Sequence, residues 1–174
     1  DDICYPERFK KQIDYLHAHP EADMVCAVVE LINENGQLTG YWKDDRNHIQ
    51  AEDIRNYLPM NNCIAHPTIL ARADIIKKLR YKESQSQAED YDLWLRWIAS
   101  GYTIHKLGEC LLKHRILSNS FTRRRQQNVF YKLAKTKWNF AVCEIKKGNL
   151  NHFIFRSLLF AAGDMVKGTG KIIK

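Results

Sequence analysis

Apolar residues follow two kinds of pattern along the first 120 residues. Residues 24–32 are almost all apolar and rich in β-branched side chains, which is typical of a strand buried on both faces. Asn35-Gly36 then predicts a hairpin turn. These patterns predict strands at 24–32, 38–42, 63–71 (broken at His66-Pro67), 102–107 and 111–115. Helical spacing predicts helices at 6–19, 51–58, 74–79 and 89–100, and the polar stretch 43–50 predicts a loop.

The pattern changes after residue 120. Residues 128–147 and 151–166 are two long helical segments separated by Gly148-Asn149, with no further strand. We therefore predict an α/β body over residues 1–122 and a helical extension over residues 123–174. Because the chain begins without Met, on what reads as the middle of a motif, we expect it to be the downstream part of a longer protein.

The charge is positive and uneven. The chain has 27 Lys and Arg against 20 Asp and Glu, a net charge of +7, and most of the excess lies in the last third. This predicts attraction to an anionic partner such as a nucleotide, a lipid surface or a nucleic acid. The triple arginine at 123–125 is either a solvated basic loop or a contact to phosphate or membrane. The apolar segment 153–160 either packs on the body, which we favour, or lies in a membrane interface.

Cysteine and histidine spacing argues against disulfides and zinc. The five cysteines are odd in number and far apart, which predicts buried free thiols in a reducing compartment. The histidines lack the spacing of zinc ligands. We find no signal peptide and no apolar run as long as a membrane span.

Two pairs of adjacent carboxylates are the main candidates for chemistry. Asp1-Asp2 precedes the helix that Pro6 begins, and Glu89-Asp90 opens the helix at 89–100. Either pair could simply stabilise its helix, because carboxylates interact favourably with the positive N-terminal end of the helix dipole. Alternatively, Asp1 and Asp2 would bind Mg²⁺ or Mn²⁺ on a diphosphate, and Asp90 would act as a general base. A helix start would keep Asp90 ionised, while an apolar wall would limit its solvation.

Five further side chains could contact a substrate. His66 is either a hydrogen-bonded core histidine or a substrate contact. Trp94 lies on the same side of its helix as Asp90. Arg96 either pairs with an acid or a phosphate, or is an exposed helix arginine. His114-Arg115 ends a strand, where side chains can point into a cleft.

These motifs, in this order, resemble those of a known enzyme family. Asp1-Asp2-Ile3, His66-Pro67, Glu89 to Arg96, and His114-Arg115 with Asn119-Ser120 look like the downstream half of a family 2 glycosyltransferase. The likeness covers roughly residues 1 to 122, and the acidic helix with its Trp and Arg is its most specific part.

The resemblance implies a fold, an activity and a set of roles. The fold would be GT-A, the α/β mixed sheet of nucleotide-diphospho-sugar transferases, flanked by helices and followed here by C-terminal helices. Asp1 and Asp2 would hold the Mn²⁺ or Mg²⁺ and the sugar nucleotide, and Asp90 would be the base of an inverting transfer to an acceptor hydroxyl. His66 and Arg115 would lie near the donor diphosphate or acceptor, and Glu89, Trp94 and Arg96 would also contact substrate.

The chain departs from the family in two respects. The upstream half, with the base-binding site and the first Asp of the metal motif, is not in this chain. Where the family often has a histidine two residues after the Arg of the later strand, this chain has Leu117.

The resemblance also implies partners and a location. They would be a nucleotide-diphosphate sugar and a sugar or lipid-linked acceptor in polysaccharide or glycolipid synthesis. From the basic residues of the chain we further expect peripheral contact with an anionic membrane, and we expect no nucleic acid. We expect a cytoplasmic location, and the basic tail would suit the inner face of a membrane. The alternative is a basic, non-catalytic binding or scaffold module that meets an anionic membrane or nucleic acid.

Overall fold

A computed structural model describes residues 1–83, 85, 88–117 and 129–172, and places them in a mixed five-stranded sheet flanked by helices. The predicted α/β class with C-terminal helices is thus confirmed. The strands are β1 Ile3–Cys4, β2 Met24–Ile32, β3 Leu38–Tyr41, β4 Leu70–Ala71 and β5 Ile104–Arg115. The α-helices are α1 Arg8–Ala18, α2 Lys43–Asn47, α3 Ala51–Tyr57, α4 Ala73–Leu79, α5 Glu89–Ala99, α6 Val129–Lys146 and α7 His152–Ile172.

The sheet is built around one long parallel pair. β2 pairs with β5 from Met24 opposite Ile104 to Ile32 opposite Arg115. The strand order is β1-β5-β2-β3, with β4 paired to the start of β2, and every pair except β2–β5 is antiparallel. Because β2 is central and covered on both faces, its side chains are almost all buried, as its apolar sequence predicts. The carboxyl ends of β2 and β5 therefore lie at the same edge of the sheet.

The core lies beneath α5 and includes the C-terminal helices. Trp94 and Trp97 of α5 are fully buried, and Phe140 of α6 and Phe153 of α7 belong to the same hydrophobic cluster. Part of the apolar segment 153–160 therefore packs on the body. The boundary that we placed between residues 122 and 123, like the triple arginine, lies outside the described residues.

Several predicted elements differ from the structure in extent. The expected loop at 43–50 contains α2. The expected strand at 63–71 is a 3-10 turn, His66–Thr68, followed by the two residues of β4, because Pro67 lacks the N–H that a strand needs. The two strands expected at 102–107 and 111–115 are one strand, β5, whose register with β2 shifts near its middle.

Helix α1 buries its polar side rather than its apolar side. Phe9 and Ile13, which predicted the helix, are 55% and 44% exposed, whereas Arg8 and Gln12 are buried. The reason is a set of backbone acceptors beneath the helix. The Gln12 side-chain amide donates to the carbonyls of Val25 (3.2 Å) and Thr68 (2.7 Å).

All five cysteines are free thiols, as predicted, but only Cys26 and Cys63 are buried. Burial raises the pKa of both thiols to about 12, so they behave as small apolar side chains. Within the described ranges, every helix is too short or too polar to cross a membrane.

A buried ion pair joins the sheet to two connecting segments. The Lys106 ammonium of β5 lies 2.9 Å from the Asp45 carboxylate of α2, and both side chains are fully buried. Lys106 also donates to the carbonyls of Asp45 (2.8 Å) and Cys63 (2.6 Å), while the second Asp45 oxygen accepts the Val29 N–H (2.9 Å). These bonds fix α2 and the segment at residue 63 against β2 and β5.

We predict that removing one partner of this pair strongly destabilises the fold. Lys106→Met leaves the Asp45 carboxylate buried without its cation, which typically costs about 3–5 kcal/mol. Urea denaturation measures the loss in the free energy of unfolding. The control is Lys10→Met, which breaks an exposed pair with Asp14 and should cost less than about 1 kcal/mol. Equal losses in the two variants would contradict the role given to the buried pair.

Candidate active site

A cleft of about 580 Å³ opens over the carboxyl ends of β2 and β5. This is the edge at which open α/β sheets commonly bind ligands. Its apolar wall consists of Val29, Leu31, Tyr41, Trp42, Ile64, Ala65 and Pro67. Its polar lining consists of Lys43, Asn62, His66, Asp90 and His114. The cleft thus combines one carboxylate with several hydrogen-bonding side chains against an apolar surface.

Asp90 is the acidic residue of this cleft. It lies in the first turn of α5, which begins after Ala88 in the left-handed conformation (φ +52°). The carboxylate is partly buried, and the Asn62 side-chain amide lies 3.5 Å from its Oδ2 atom. Burial raises the pKa of Asp90, although the Tyr91 N–H and the nearby His66 act in the opposite direction. A carboxylate with a raised pKa is a stronger base, as general-base catalysis requires.

His66 lies at the mouth of the cleft and is exposed, so the interpretation as a buried core histidine is wrong. Its Nε2 atom is 2.8 Å from the Tyr81 hydroxyl, and its ring meets the Trp94 ring at 5.9 Å. His66 and Asp90 therefore line the same space, and contact between His66 and a substrate stays a prediction. Glu89, beside Asp90, is exposed.

The second acidic pair meets the end of β5. Asp2 Oδ2 lies 3.2 Å from Nδ1 of His114, and Asp2 Oδ1 accepts the Arg115 N–H at 2.8 Å. Asp1 is exposed. Since His114 lines the cleft, the Asp2 carboxylate is only one side chain removed from it.

Arg115 ties backbone segments together. Its guanidinium donates to the carbonyls of Asp1 (3.0 Å), Asn33 (2.9 Å) and Glu34 (2.8 Å). Successive side chains of a strand point to opposite faces, so His114 and Arg115 cannot both face the cleft. In the structure His114 faces it, and Arg115 holds the start of the chain against the β2–β3 hairpin.

Trp94 and Arg96 lie in the core rather than along the cleft. Trp94 is fully buried. Arg96 is 6% exposed and donates to the Asp92 carboxylate at 2.7 Å and to the carbonyls of Leu79 and Arg80. The alternative of an exposed helix arginine is therefore wrong, because this guanidinium anchors the end of α4 to α5. Neither side chain reaches the cleft in this arrangement.

Sequence reasoning did not select three polar residues of this site. Asn62 and Lys43 line the cleft from connecting segments, and Lys132 of α6 is near enough to lower the pKa of Asp90 through its charge. From the sequence, Asn62 directly precedes a predicted strand and Lys43 lies in a predicted loop, and neither position indicates a functional role. Lys132 is separated from Asp90 by more than forty residues, so only the fold brings the two together.

Among the described residues, no group of three or more Asp, Glu, His or Cys side chains is arranged to hold a metal ion. The carboxylates of Asp1 and Asp2 are still the oxygen donors that Mg²⁺ and Mn²⁺ prefer. At the cleft edge, the Asp2 carboxylate lies 3.2 Å from the His114 ring. Metal binding by Asp1 and Asp2 therefore stays a prediction.

Known proteins with similar sequences carry one common description. An uncharacterized glycosyltransferase of Methanocaldococcus jannaschii is 31% identical over 163 residues, which cover 92% of this chain and 54% of that protein. The O-antigen biosynthesis glycosyltransferase WbnJ of Escherichia coli is 39% identical over 122 residues (69% and 46%). The amylovoran biosynthesis glycosyltransferase AmsE of Erwinia amylovora is 34% identical over 128 residues (74% and 47%).

No family model matches the chain. The chain spans about half the length of the curated relatives that it matches. Over that span, it is homologous to proteins named as glycosyltransferases.

Proposed function

We propose that this chain carries the catalytic base of an inverting, metal-assisted glycosyltransferase of family 2 and GT-A fold. The donor would be a nucleotide-diphosphate sugar and the acceptor a hydroxyl of a sugar or a lipid-linked sugar. The observation that carries the proposal is the placement of Asp90, partly buried and with a raised pKa, in a cleft over the carboxyl ends of two parallel strands.

The chemistry needs one base in this position. Asp90 would accept the proton of the acceptor hydroxyl as the hydroxyl oxygen bonds to the anomeric carbon of the donor sugar. The bond from that carbon to the diphosphate oxygen breaks, and the nucleoside diphosphate leaves with the electron pair. Because the attack is a single displacement from the side opposite the leaving group, the configuration inverts and no covalent intermediate forms.

The surroundings of Asp90 suit this role. The apolar wall limits hydration of the carboxylate, while Lys132 supplies positive charge nearby. Asn62 lies within reach of the same carboxylate oxygen and would help to fix its direction. Of the other proposed substrate contacts, His66 and Glu89 are accessible to a ligand, whereas Trp94, Arg96 and Arg115 would act by positioning their neighbours.

The leaving diphosphate requires compensation of its negative charge. A bound Mn²⁺ or Mg²⁺ would supply it as a Lewis acid. Asp1 and Asp2 would provide carboxylate oxygens for the cation, and His114 would hold Asp2 at the cleft edge. The Arg115 N–H holds the other Asp2 oxygen, so the carboxylate is oriented before any ligand binds.

The names of two relatives support a biological role. WbnJ and AmsE are named for O-antigen and amylovoran biosynthesis, respectively. We extend to this chain a role in the synthesis of a cell-surface polysaccharide or glycolipid. A basic non-catalytic scaffold is the alternative, which the absence of any donor turnover would favour.

The first prediction for this site concerns sugar transfer. Asp90→Asn in the full-length protein should lower the transfer rate by about 10²–10⁴-fold, the range for loss of a general base. Binding of the donor in the presence of Mn²⁺ should be nearly unchanged. Product formation and donor titration measure the two effects.

The matched control is Asp74→Asn, which removes an exposed carboxylate from the first turn of α4. It should transfer sugar at the wild-type rate. Turnover by Asp90→Asn at the control rate would refute the assignment of the base.

The second prediction concerns the stability of the same variant, which should increase although its transfer rate falls. Since burial raises the pKa of Asp90 in the folded state, the protonated form favours folding and the ionised form opposes it. Asp90→Asn, which stays neutral, should therefore be more stable than wild type at neutral pH. The gain should shrink as the pH falls through the raised pKa towards the ordinary aspartate value of about 3.9. Chemical denaturation as a function of pH measures it.

Asp92→Asn is the control for this effect. Asp92 is buried in ion pairs with Arg96 (2.7 Å) and Lys82 (3.1 Å), so its substitution should lower the stability at neutral pH. A loss of stability in Asp90→Asn equal to that of Asp92→Asn would show that Asp90 has a structural role instead.

The third prediction concerns the cation. Asp2→Asn should raise the Mn²⁺ concentration needed for half-maximal transfer by at least about tenfold, as losses of metal-site partners commonly do. Chelation should abolish transfer in the wild type, and added Mn²⁺ should restore it. Asp53→Asn, an exposed carboxylate of α3, is the control. Full transfer after chelation would contradict metal assistance.

A further inference from the structure

Helix α7 turns an apolar stripe away from the protein body. Phe155, Leu159 and Val166 are 65%, 60% and 72% exposed. Their spacing of four and seven residues places them along one line of the helix surface. Phe153 and Ile154, by contrast, are buried against the body. The helix therefore has two apolar sides, of which only one is used in the fold.

A line of basic residues runs beside this stripe. The line consists of His152, Arg156 and Lys167, which are spaced by four and eleven residues. Around the helix axis, it is rotated from the apolar stripe by about one residue step of roughly 100°. Residues 129–172 contain eight Lys and Arg but only two acids, Glu144 and Asp164.

Both of those acids are buried and already paired. Glu144 binds Lys147 at 2.7 Å and Asp164 binds Lys137 at 2.6 Å. The exposed charge on this pair of helices is therefore positive. The two helices thus present no unpaired carboxylate to an anionic surface, whereas the neighbouring α3 carries the exposed acids Glu52 and Asp53 in its first turn.

A small basic pocket lies at the start of α7. It has a volume of about 190 Å³ and is lined by Arg55, Asn56, Asn151, His152, Phe153 and Arg156. In the described part of the chain, neither arginine forms a salt bridge with a carboxylate. The two guanidinium groups, of which that of Arg156 also lies over the Phe160 ring at 5.9 Å, and the two side-chain amides give the pocket a positive charge that complements a phosphate group.

We propose that α7 docks the protein on an anionic lipid surface. Phe155, Leu159 and Val166 would enter the boundary between headgroups and acyl chains, and the pocket at Arg55 and Arg156 would take a lipid phosphate. A nucleic acid would satisfy the basic line equally well but offers no apolar phase to the stripe. The proposal is independent of the transfer chemistry.

The test is sedimentation of the full-length protein with vesicles of phosphatidylcholine, with or without phosphatidylglycerol. We expect binding only to the vesicles that contain phosphatidylglycerol, and weaker binding at high salt. Two double variants should each weaken it by at least about tenfold, Phe155→Ser with Leu159→Ser and Arg55→Gln with Arg156→Gln. All four positions are at least partly exposed, so both variants should fold, which circular dichroism checks.

The chain offers matched controls on its other helices. Phe9→Ser with Ile13→Ser removes an exposed apolar pair from α1, and Lys10→Gln with Lys77→Gln removes two exposed charges. Both controls should bind vesicles like the wild type. The proposal fails if no vesicle is bound, if the controls lose as much binding as the α7 variants, or if the apolar α7 variant binds normally and RNA competes for the protein.

Discussion

The buried pair between Asp45 and Lys106 is the interaction on which the rest of the cleft depends. Its atoms touch both central strands, through Lys106 of β5 and the Val29 N–H of β2, and both connecting segments that carry cleft residues. Two buried charges are costly unless they are compensated. Here the ammonium and the carboxylate compensate each other at 2.9 Å, and three backbone groups bind them, although Asp45 Oδ1 itself accepts no hydrogen bond. The bonds of the pair can form only when α2 and residue 63 are packed against β2 and β5, so folding fixes the positions of both segments. The pair thereby positions four residues that line the cleft next to these segments: Trp42, Lys43, Asn62 and Ile64.

The same edge of the sheet collects residues that are far apart in sequence. Asp2 meets His114 because β1 pairs with the end of β5, and Asp90 faces the cleft because α5 begins there. Arg115 then fixes the start of the chain to the β2–β3 hairpin. Burial gives Asp90 a raised pKa, which disfavours the folded state at neutral pH but suits a base. A group that weakens the fold and faces a cleft is a good candidate for function.

Much of this arrangement can be predicted from the sequence, because its signals are local. The continuous apolar run at 24–32 predicts β2, and Asn35-Gly36, with Gly36 at φ +80°, predicts the hairpin. The acidic start of α5 points to Asp90. Each signal is a property of a few adjacent residues.

The sequence fails where distant groups decide the outcome. Helix α1 buries Gln12 instead of Phe9 because carbonyls of two other segments lie beneath it. For Arg96 the sequence leaves open both an ion pair, such as that with Asp92 one turn away, and an exposed position; the distant carbonyls of Leu79 and Arg80 at the end of α4 are what bury its guanidinium. Lys132 approaches Asp90 only because α6 packs on the body. No pattern of spacing contains such information.

The most direct test of the account is release of a nucleoside diphosphate by the full-length wild-type protein from a panel of nucleotide sugars, with and without Mn²⁺. We predict release from one donor that depends on the cation and is accelerated by the acceptor. If the folded protein neither releases nor binds any donor in the presence of Mn²⁺, the cleft is not a sugar-transfer site, and a binding or scaffold role takes its place.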